Sequence, residues 1–424
     1  MNSAQFTQLG QFVHFATQRF DLPLLAGGWT DARPQPEIPG RAVGLSLVLG
    51  EVVGIPSFLQ LEQETRLPQW QRWAGYPGPI SHDTFGYVAE RLDPEPLRRA
   101  VRWINGKLKR GKAFEASKLK GLLAVNVDAN EQFCSDHRCC ADCLSREITC
   151  KNADGQEVRK TQYYHKQVYA QLGGPELSVI LDFEPMRPGE EECAAALRLL
   201  RRMRQKYGPR FFDVVVVDSW YANGPFLKTV AQELGWPVVA VLKQEHYEVY
   251  QEAQALSRGQ KPAQVVERDG RQVEIWDVRS LRFSDSYTRP VRVVRAREGW
   301  QQRVQQGPEW ATEEKEQNWL WVVAGDLDSL EGAVIRDLGH GRWKIENHAF
   351  GQLTQHWHLT HCAHHHPVAL AALLWIKILA FTLFHAFAIL HGKLFRLGRA
   401  TLQEVRQQIY RSLLCGPPAP LFSG

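Results

Sequence analysis

The chain has 424 residues, a mass of 48.4 kDa and 44% apolar residues. That length allows two or three domains, or one domain with a large insertion, and the apolar content excludes a disordered tail. Fifty-one Lys and Arg against 46 Asp and Glu leave a formal charge of +5, which permits nucleic acid as a partner without demanding it.

Met1 to Phe20 contains no apolar run of signal-peptide length, so secretion is not expected. Residues 1–117 read as mostly helical. Arg41 to Val53 is apolar and stops before Pro56, and Ser81 is placed to cap a helix that ends before Pro94. The next helix, from about Pro96 to Leu108, is cationic. Arg98, Arg99, Arg102, Lys107 and Lys109, extended by Arg110 and Lys112, suit a phosphate backbone or form a solvated face. From Arg98 to Lys120 there are nine Lys or Arg and one acid, Glu115.

The period changes at residue 121. Leu122 to Val127 reads as a buried strand ending at Asp128, and Thr161 to Leu172 and Leu177 to Phe183 read as two more. Glu190 to Tyr207 has helical spacing. Phe211 to Val217 is a strand of four consecutive valines that ends at Asp218. Pro225 to Leu234 is helical, and Val238 to Leu242 returns to strand. The order predicts three antiparallel strands followed by parallel ones joined through helices.

Residues 246–338 break this rhythm, with short strands expected at Val273 to Val278, Val291 to Val294 and Trp319 to Val323. A helix is expected from about His340 through Thr354. Pro367 to Leu390 is nearly all apolar, but Lys377 and His385 interrupt it, so it reads as a buried core helix and not a membrane span. Residues 399–414 are amphipathic, and Pro417 to Pro420 ends the chain in a tail.

Five of the eight cysteines, Cys134, Cys139, Cys140, Cys143 and Cys150, lie within seventeen residues. Cys134, His137, Cys140 and Cys143 have the spacing of a tetrahedral zinc site, which would be structural. The alternative is a group of reduced thiols in a hairpin. Cys139 and Cys150 are spare, and His165 and Cys193 are within reach if the fold returns them. His356, His358, His361, His364, His365 and His366 form a second dense run, read as a helix end near phosphate or capping carbonyls.

Asp128 and Asp218 each follow an apolar strand, and ligands gather at the carboxyl ends of strands in such sheets. Glu346 follows Arg342 by four residues, on one helical face. Three packed carboxylates repel one another unless cations sit between them, so the set points to a pair of Mg²⁺ ions, with Mn²⁺ as the substitute. Such a pair activates a water or a 3′-hydroxyl and stabilises the departing oxygen of a phosphodiester. Asp182, Glu184 and Asp213 occupy less suitable places in their strands.

Leu123–Asp128, Cys140–Leu144 with Thr161–His165, Val214–Tyr221 and Arg342–Asn347 together resemble the motifs of bacterial insertion-sequence transposases of the DDE class. That resemblance implies an α/β, ribonuclease H-like mixed sheet flanked by helices, with a β-rich insertion before the catalytic Glu and an N-terminal helical domain. It implies a helical DNA-binding region at 1–117 and a catalytic core at 118–245 and 339–395. The insertion would fill 246–338, and a C-terminal helix and tail 396–424. It also implies a DNA transposase that cuts inverted-repeat ends and joins 3′ ends to target DNA. Asp128, Asp218 and Glu346 would be the Mg²⁺ ligands, and Arg342 would steady the Glu or the scissile phosphate. Trp319 and Trp321 of the insertion would stack on DNA or pack a β core. Double-stranded DNA is then the partner, a DNA-bound homodimer the working form, and the bacterial cytoplasm at the nucleoid the location, with no membrane involved. Two further readings remain at this point: a decayed relative that binds DNA without cutting, and a stand-alone metal-dependent nuclease. Relatives often carry a Tyr three residues before the Arg and a Lys seven residues after the Glu. Here those positions are Gly339 and Leu353, and Arg336, Lys344, His356 or His358 would take their place.

Overall fold

The structure is a computed structural model that describes residues 8–152, 154–174, 177–306, 309–343, 345–391 and 401–415. Helices come first: α1 (Gln8–Phe20), α2 (Leu22–Gly27), α3 (Gly40–Val53), α4 (Phe58–Glu64), α5 (Pro68–Ala74), α6 (His82–Ala89) and α7 (Pro94–Arg110). Ser81 caps α6 as expected, its side chain accepting from the Thr84 N–H at 3.2 Å. Asp93 caps α7, and Pro94 fixes the first turn.

Five strands form the heart of the sheet: β1 (Ala124–Ser135), β3 (Glu157–Gly173), β4 (Ser178–Pro185), β5 (Val214–Val217) and β6 (Val238–Val241). β1, β3 and β4 pair antiparallel in succession, while β1–β5 and β5–β6 are parallel. Helix α8 (Glu192–Tyr207) returns the chain from β4 to β5, burying Ala195, Ala196, Leu199, Leu200 and Met203 on one stripe. The valines of β5 explain its central place. Val215 and Val217 enter the main core, and Val214 and Val216 enter a second core on the other face. A strand buried on both faces has no polar side to show. This order is the ribonuclease H-like arrangement that the resemblance implies.

Two expectations change here. A strand missing from the sequence reading, β2 (Leu144–Lys151), extends β3 beyond the core. Asp128 also does not end its strand, because β1 runs on to Ser135 against β3. What ends at Val127 is the parallel pairing with β5, so Asp128 still lies at the carboxyl end of the parallel part.

The region after β6 begins with α10 (Glu248–Ser257), which follows a short helix α9 (Gly224–Leu227) in chain order. Four strands follow, one more than expected and longer: β7 (Gln264–Arg268), β8 (Arg271–Leu281), β9 (Val291–Gln306) and β10 (Glu309–Ala324). They are not a separate sheet. β10 pairs antiparallel with β6, giving one ten-stranded sheet in the order β2-β3-β1-β5-β6-β10-β9-β8-β7, with β4 also on β3. Helix α11 (Gly332–His340) covers the second core over these strands.

The expected helix from His340 to Thr354 is interrupted. α11 stops at His340, a π-helical turn occupies Ile345–Phe350, and α12 (Gly351–Trp357) follows. Next comes α13 (Pro367–Leu390), long and apolar enough to cross a membrane but mostly buried in this fold. It packs against α3, α6, α7 and β4, so the N-terminal helices share its core. Its one lysine is explained by a partner: Lys377 Nζ donates to both carboxylate oxygens of Glu51, each at 2.7 Å. The last helix, α14 (Leu402–Cys415), lies on α1 and α3. Arg406 there donates to the Val52 carbonyl at 3.0 Å and the Glu51 carbonyl at 2.6 Å, satisfying the end of α3. The expected tail at Pro417 to Pro420 lies outside the described residues.

Candidate active site

Val127 and Val217 are partners across the β1–β5 pair, so Asp128 and Asp218 are the next residues on adjacent strands. Asp218 leaves the strand at once. Its Oδ1 accepts from the Ser219 N–H at 2.5 Å and caps a short 3₁₀ turn, Ser219–Tyr221. Asp128 stays in a strand, where its Oδ1 accepts from the Ala129 N–H at 2.9 Å. Burial pushes the Asp128 carboxyl up to about 7; Arg342 opposes the shift, and Glu346 and Glu192 add to it.

Glu346 is carried by the π-helical turn, a conformation often found where a helix is bent to serve a site. Arg342 sits in the turn before it, not on a common helix. It still spans the four-residue step: Nη1 lies 2.5 Å from Glu346 Oε1 and 3.0 Å from Asp128 Oδ2. The Arg342 side chain is buried, while that of Glu346 is half exposed.

Glu192, at the first turn of α8, is a neighbour that the sequence did not single out. Its Oε1 accepts from the Tyr221 hydroxyl at 2.5 Å, and its Oε2 lies 2.7 Å from Lys166 Nζ. Trp220 was also missed. It stands exposed two residues after Asp218. Its only signal in sequence is that position.

The donors around Asp128 are hard carboxylate oxygens, and one buried carboxyl is destabilised as an anion by its surroundings. Divalent cations such as Mg²⁺ prefer oxygen donors and reverse that destabilisation, so the residues fit the ions the sequence implied. Asp182 and Glu184 belong elsewhere. Asp182 pairs with Arg202 at 2.9 Å, and Glu184 with Arg198 at 2.8 Å. Asp213 accepts from the Leu123 N–H at 2.8 Å.

The two departures from the family pattern have physical causes. A Cβ at Gly339 would lie 2.1 Å from Trp321 Nε1, so no Tyr fits there. Leu353 is fully buried in the main core, where a Lys would lack water. Of the substitutes, Arg336 is buried and donates to Glu298 Oε1 at 2.9 Å. His356 is exposed, His358 is half-buried, and Lys344 lies outside the described residues.

Trp321 is buried, so it takes the core role. Trp319 is half-buried and stacks on Trp321 at 6.0 Å, with Trp343 and His340 edge-on to it. On α7 and just beyond, Arg99, Arg110 and Lys112 are exposed, and Arg102 is half-buried. Three cations of this set have internal partners: Arg98 with Glu95 at 2.8 Å, Lys107 with Asp21 at 2.9 Å, and Lys109 with the Arg210 and Phe211 carbonyls.

The zinc ligands read from spacing are not the set that the fold gathers. Cys134 and His137 are exposed and stand apart. Cys140 and Cys143 are joined instead by His165 of β3 and His365 from the loop before α13, with all four ligand atoms within 4.8 Å of one another. Linear spacing cannot show a ligand supplied 222 residues away. The histidine run is thereby divided, since His364 pairs with Glu90 at 2.8 Å while His365 faces the cysteines.

No curated protein matches the chain. The family model described as "Transposase DDE domain" matches residues 127–383, which begin one residue before Asp128 and take in Asp218, Arg342 and Glu346. That match spans more than half of the chain and establishes that the chain belongs to the DDE transposase family, whose members cleave phosphodiester bonds in DNA.

Proposed function

We propose that this protein is an active DNA transposase in which Asp128, Asp218 and Glu346 hold two Mg²⁺ ions. The observation that carries this reading is the bridge from Arg342 to Asp128 and Glu346, with Asp218 directly following the strand that pairs with β1. When bound, the ions supply an activated water or 3′-hydroxyl and stabilise the leaving oxygen of the phosphodiester.

The chain's own residues then have separable tasks. The acids provide oxygen ligands from a strand, a strand-end turn and a helical turn, so their positions are set before substrate arrives. Arg342, whose buried side chain bridges Asp128 and Glu346, orients Glu346 and would contact the scissile phosphate. Exposed Arg99, Arg110 and Lys112 contact the DNA backbone, and half-buried Arg102 adds charge beside them. Half-buried Trp319, 5.3 Å from Trp343, would stack on a DNA end. The substrate is double-stranded DNA with inverted-repeat ends. Two copies of the chain act together, since both ends must be joined to one target.

The test uses the full-length chain, a paired-end DNA substrate and Mg²⁺. End cleavage followed by joining to target DNA is expected. Asp128→Ala, Asp218→Ala and Glu346→Ala should each lower cleavage by about 10³-fold or more, while DNA binding persists. Cleavage without joining would identify a nuclease. Full cleavage by the Asp218→Ala protein would overturn the metal assignment.

A further inference from the structure

We propose that Cys140, Cys143, His165 and His365 bind one structural Zn²⁺ ion that staples three distant segments of this chain together.

The geometry is that of a tetrahedral site. With Zn–S near 2.3 Å and Zn–N near 2.0–2.1 Å, tetrahedral edges are about 3.8 Å between sulfurs and about 3.5 Å between sulfur and nitrogen. Here Cys140 Sγ and Cys143 Sγ are 3.6 Å apart. His165 Nε2 is 3.3 Å from each sulfur, and His365 Nε2 is 3.5 Å from Cys143 Sγ. These four distances fit such a site, and all four donor atoms, soft or borderline, come within 4.8 Å of one another from separate parts of the chain. Carboxylates are not among them, so the donor set suits zinc and not the ions of the active site.

The surroundings hold the ligands ready. The Cys140 N–H donates to Cys143 Sγ at 3.3 Å, and the Cys143 N–H donates to the Cys140 carbonyl at 3.2 Å, closing the turn that holds the two sulfurs side by side. Phe133 walls the site. Its ring stacks at 6.1 Å from His165 and meets His365 edge-on at 4.9 Å. The bulge at Glu131/Phe133 sets Phe133 opposite His165 in the β1–β3 register. Cys143 and His165 are buried and Cys140 and His365 half-buried, and four protein ligands are the number a structural zinc site takes.

The consequence is structural. Cys140 and Cys143 lie in the turn between β1 and β2, His165 on β3, and His365 in the loop that leads from α12 to α13. That loop leaves the segment carrying Glu346. The ion therefore ties the exit of the glutamate segment to the strand beside β1, closing a loop of more than two hundred residues.

The experiment is metal analysis and zinc X-ray absorption on the untagged full-length chain. About one zinc per chain is expected, bound by two sulfurs and two nitrogens. Cys143→Ser and His365→Asn should lower the zinc content at least tenfold, while Cys134→Ser and His137→Asn leave it unchanged. The absorption measurement on the unaltered protein decides the matter even if the first two variants fail to fold. A shell of three sulfurs and one nitrogen, as Cys134, His137, Cys140 and Cys143 would give, overturns the proposal. So does a chain that holds no zinc after purification and reconstitution.

Discussion

Arg342 Nη1 lies 3.0 Å from Asp128 Oδ2, although 214 residues separate the two in the chain. The same nitrogen reaches Glu346, so one guanidinium balances two acids of the site. Without its charge, the Asp128 carboxyl moves further above its ordinary range. In Arg342→Gln, the acidic limb of the kcat/KM profile should shift to higher pH by about one unit. Arg342→Lys, which keeps a charge, should shift it less. Superimposable profiles for all three proteins would show that Arg342 does not act through Asp128.

A stability measurement reads the same carboxyl. Asp128 holds its proton to about pH 7 in the folded chain, against about 3.9 in an unfolded one. Between those values the native state binds more protons. Its contribution is full below about pH 4 and is lost as pH rises through 7. In buffer without magnesium or chelator, Asp128→Asn should therefore melt above the wild type at pH 8, by about 1–3 kcal/mol of stability. The gap should narrow towards pH 5. Added Mg²⁺ should stabilise the wild type and leave the variant unchanged. Parallel melting curves from pH 5 to 8 would refute this account.

Gly339 is required by Trp321. A Cβ at 339 would lie 2.1 Å from Nε1 and 2.4 Å from Cδ1 of that buried indole. Gly339→Ala should cost about 1–3 kcal/mol in urea denaturation. Trp321→Phe opens space at the same spot, so the double variant should be less destabilised than the sum of the singles by about 1 kcal/mol. Simple additivity would mean that the two do not meet.

Lys377 and Glu51 test the buried helix. Lys377 Nζ also donates to the Trp357 carbonyl at 2.6 Å, so it has no contact to lose without leaving a charge in the core. Glu51→Ala should cost about 3–5 kcal/mol. Replacing both partners, as Glu51→Leu with Lys377→Met, should recover most of that loss. A mild effect of Glu51→Ala would indicate that water reaches the lysine.

The parts of the fold legible in sequence are those set by local pattern. Four valines before Asp218 announce a strand buried on both faces, and the Arg342 to Glu346 step survives the change from helix to turn. What escaped depends on partners far away in the chain. The extension of β1 past Asp128 exists because β3 pairs with it there, and nothing local to residues 129–135 demands it. The continuity of the insertion with the core depends on β10 finding β6. His365 joined the cysteines although its run of histidines read as a helix end near phosphate or capping carbonyls. Arg98, Lys107 and Lys109 read as a DNA face or a solvated one, yet each has a partner within the fold: Glu95, Asp21 and the Arg210 and Phe211 carbonyls of the turn before β5.

The pairing of β10 with β6 also governs how the molecule avoids its neighbours. Without β7 to β10, the four apolar residues of β6 would line a bare border with unmet amide groups, open to the matching strand of a second molecule. With them in place, the outermost strand on that side is β7, only Gln264–Arg268, carrying Glu267 and Arg268. The insertion thus acts as a guard against aggregation, and a shortened chain lacking it should precipitate during refolding even though every acid of the site is retained.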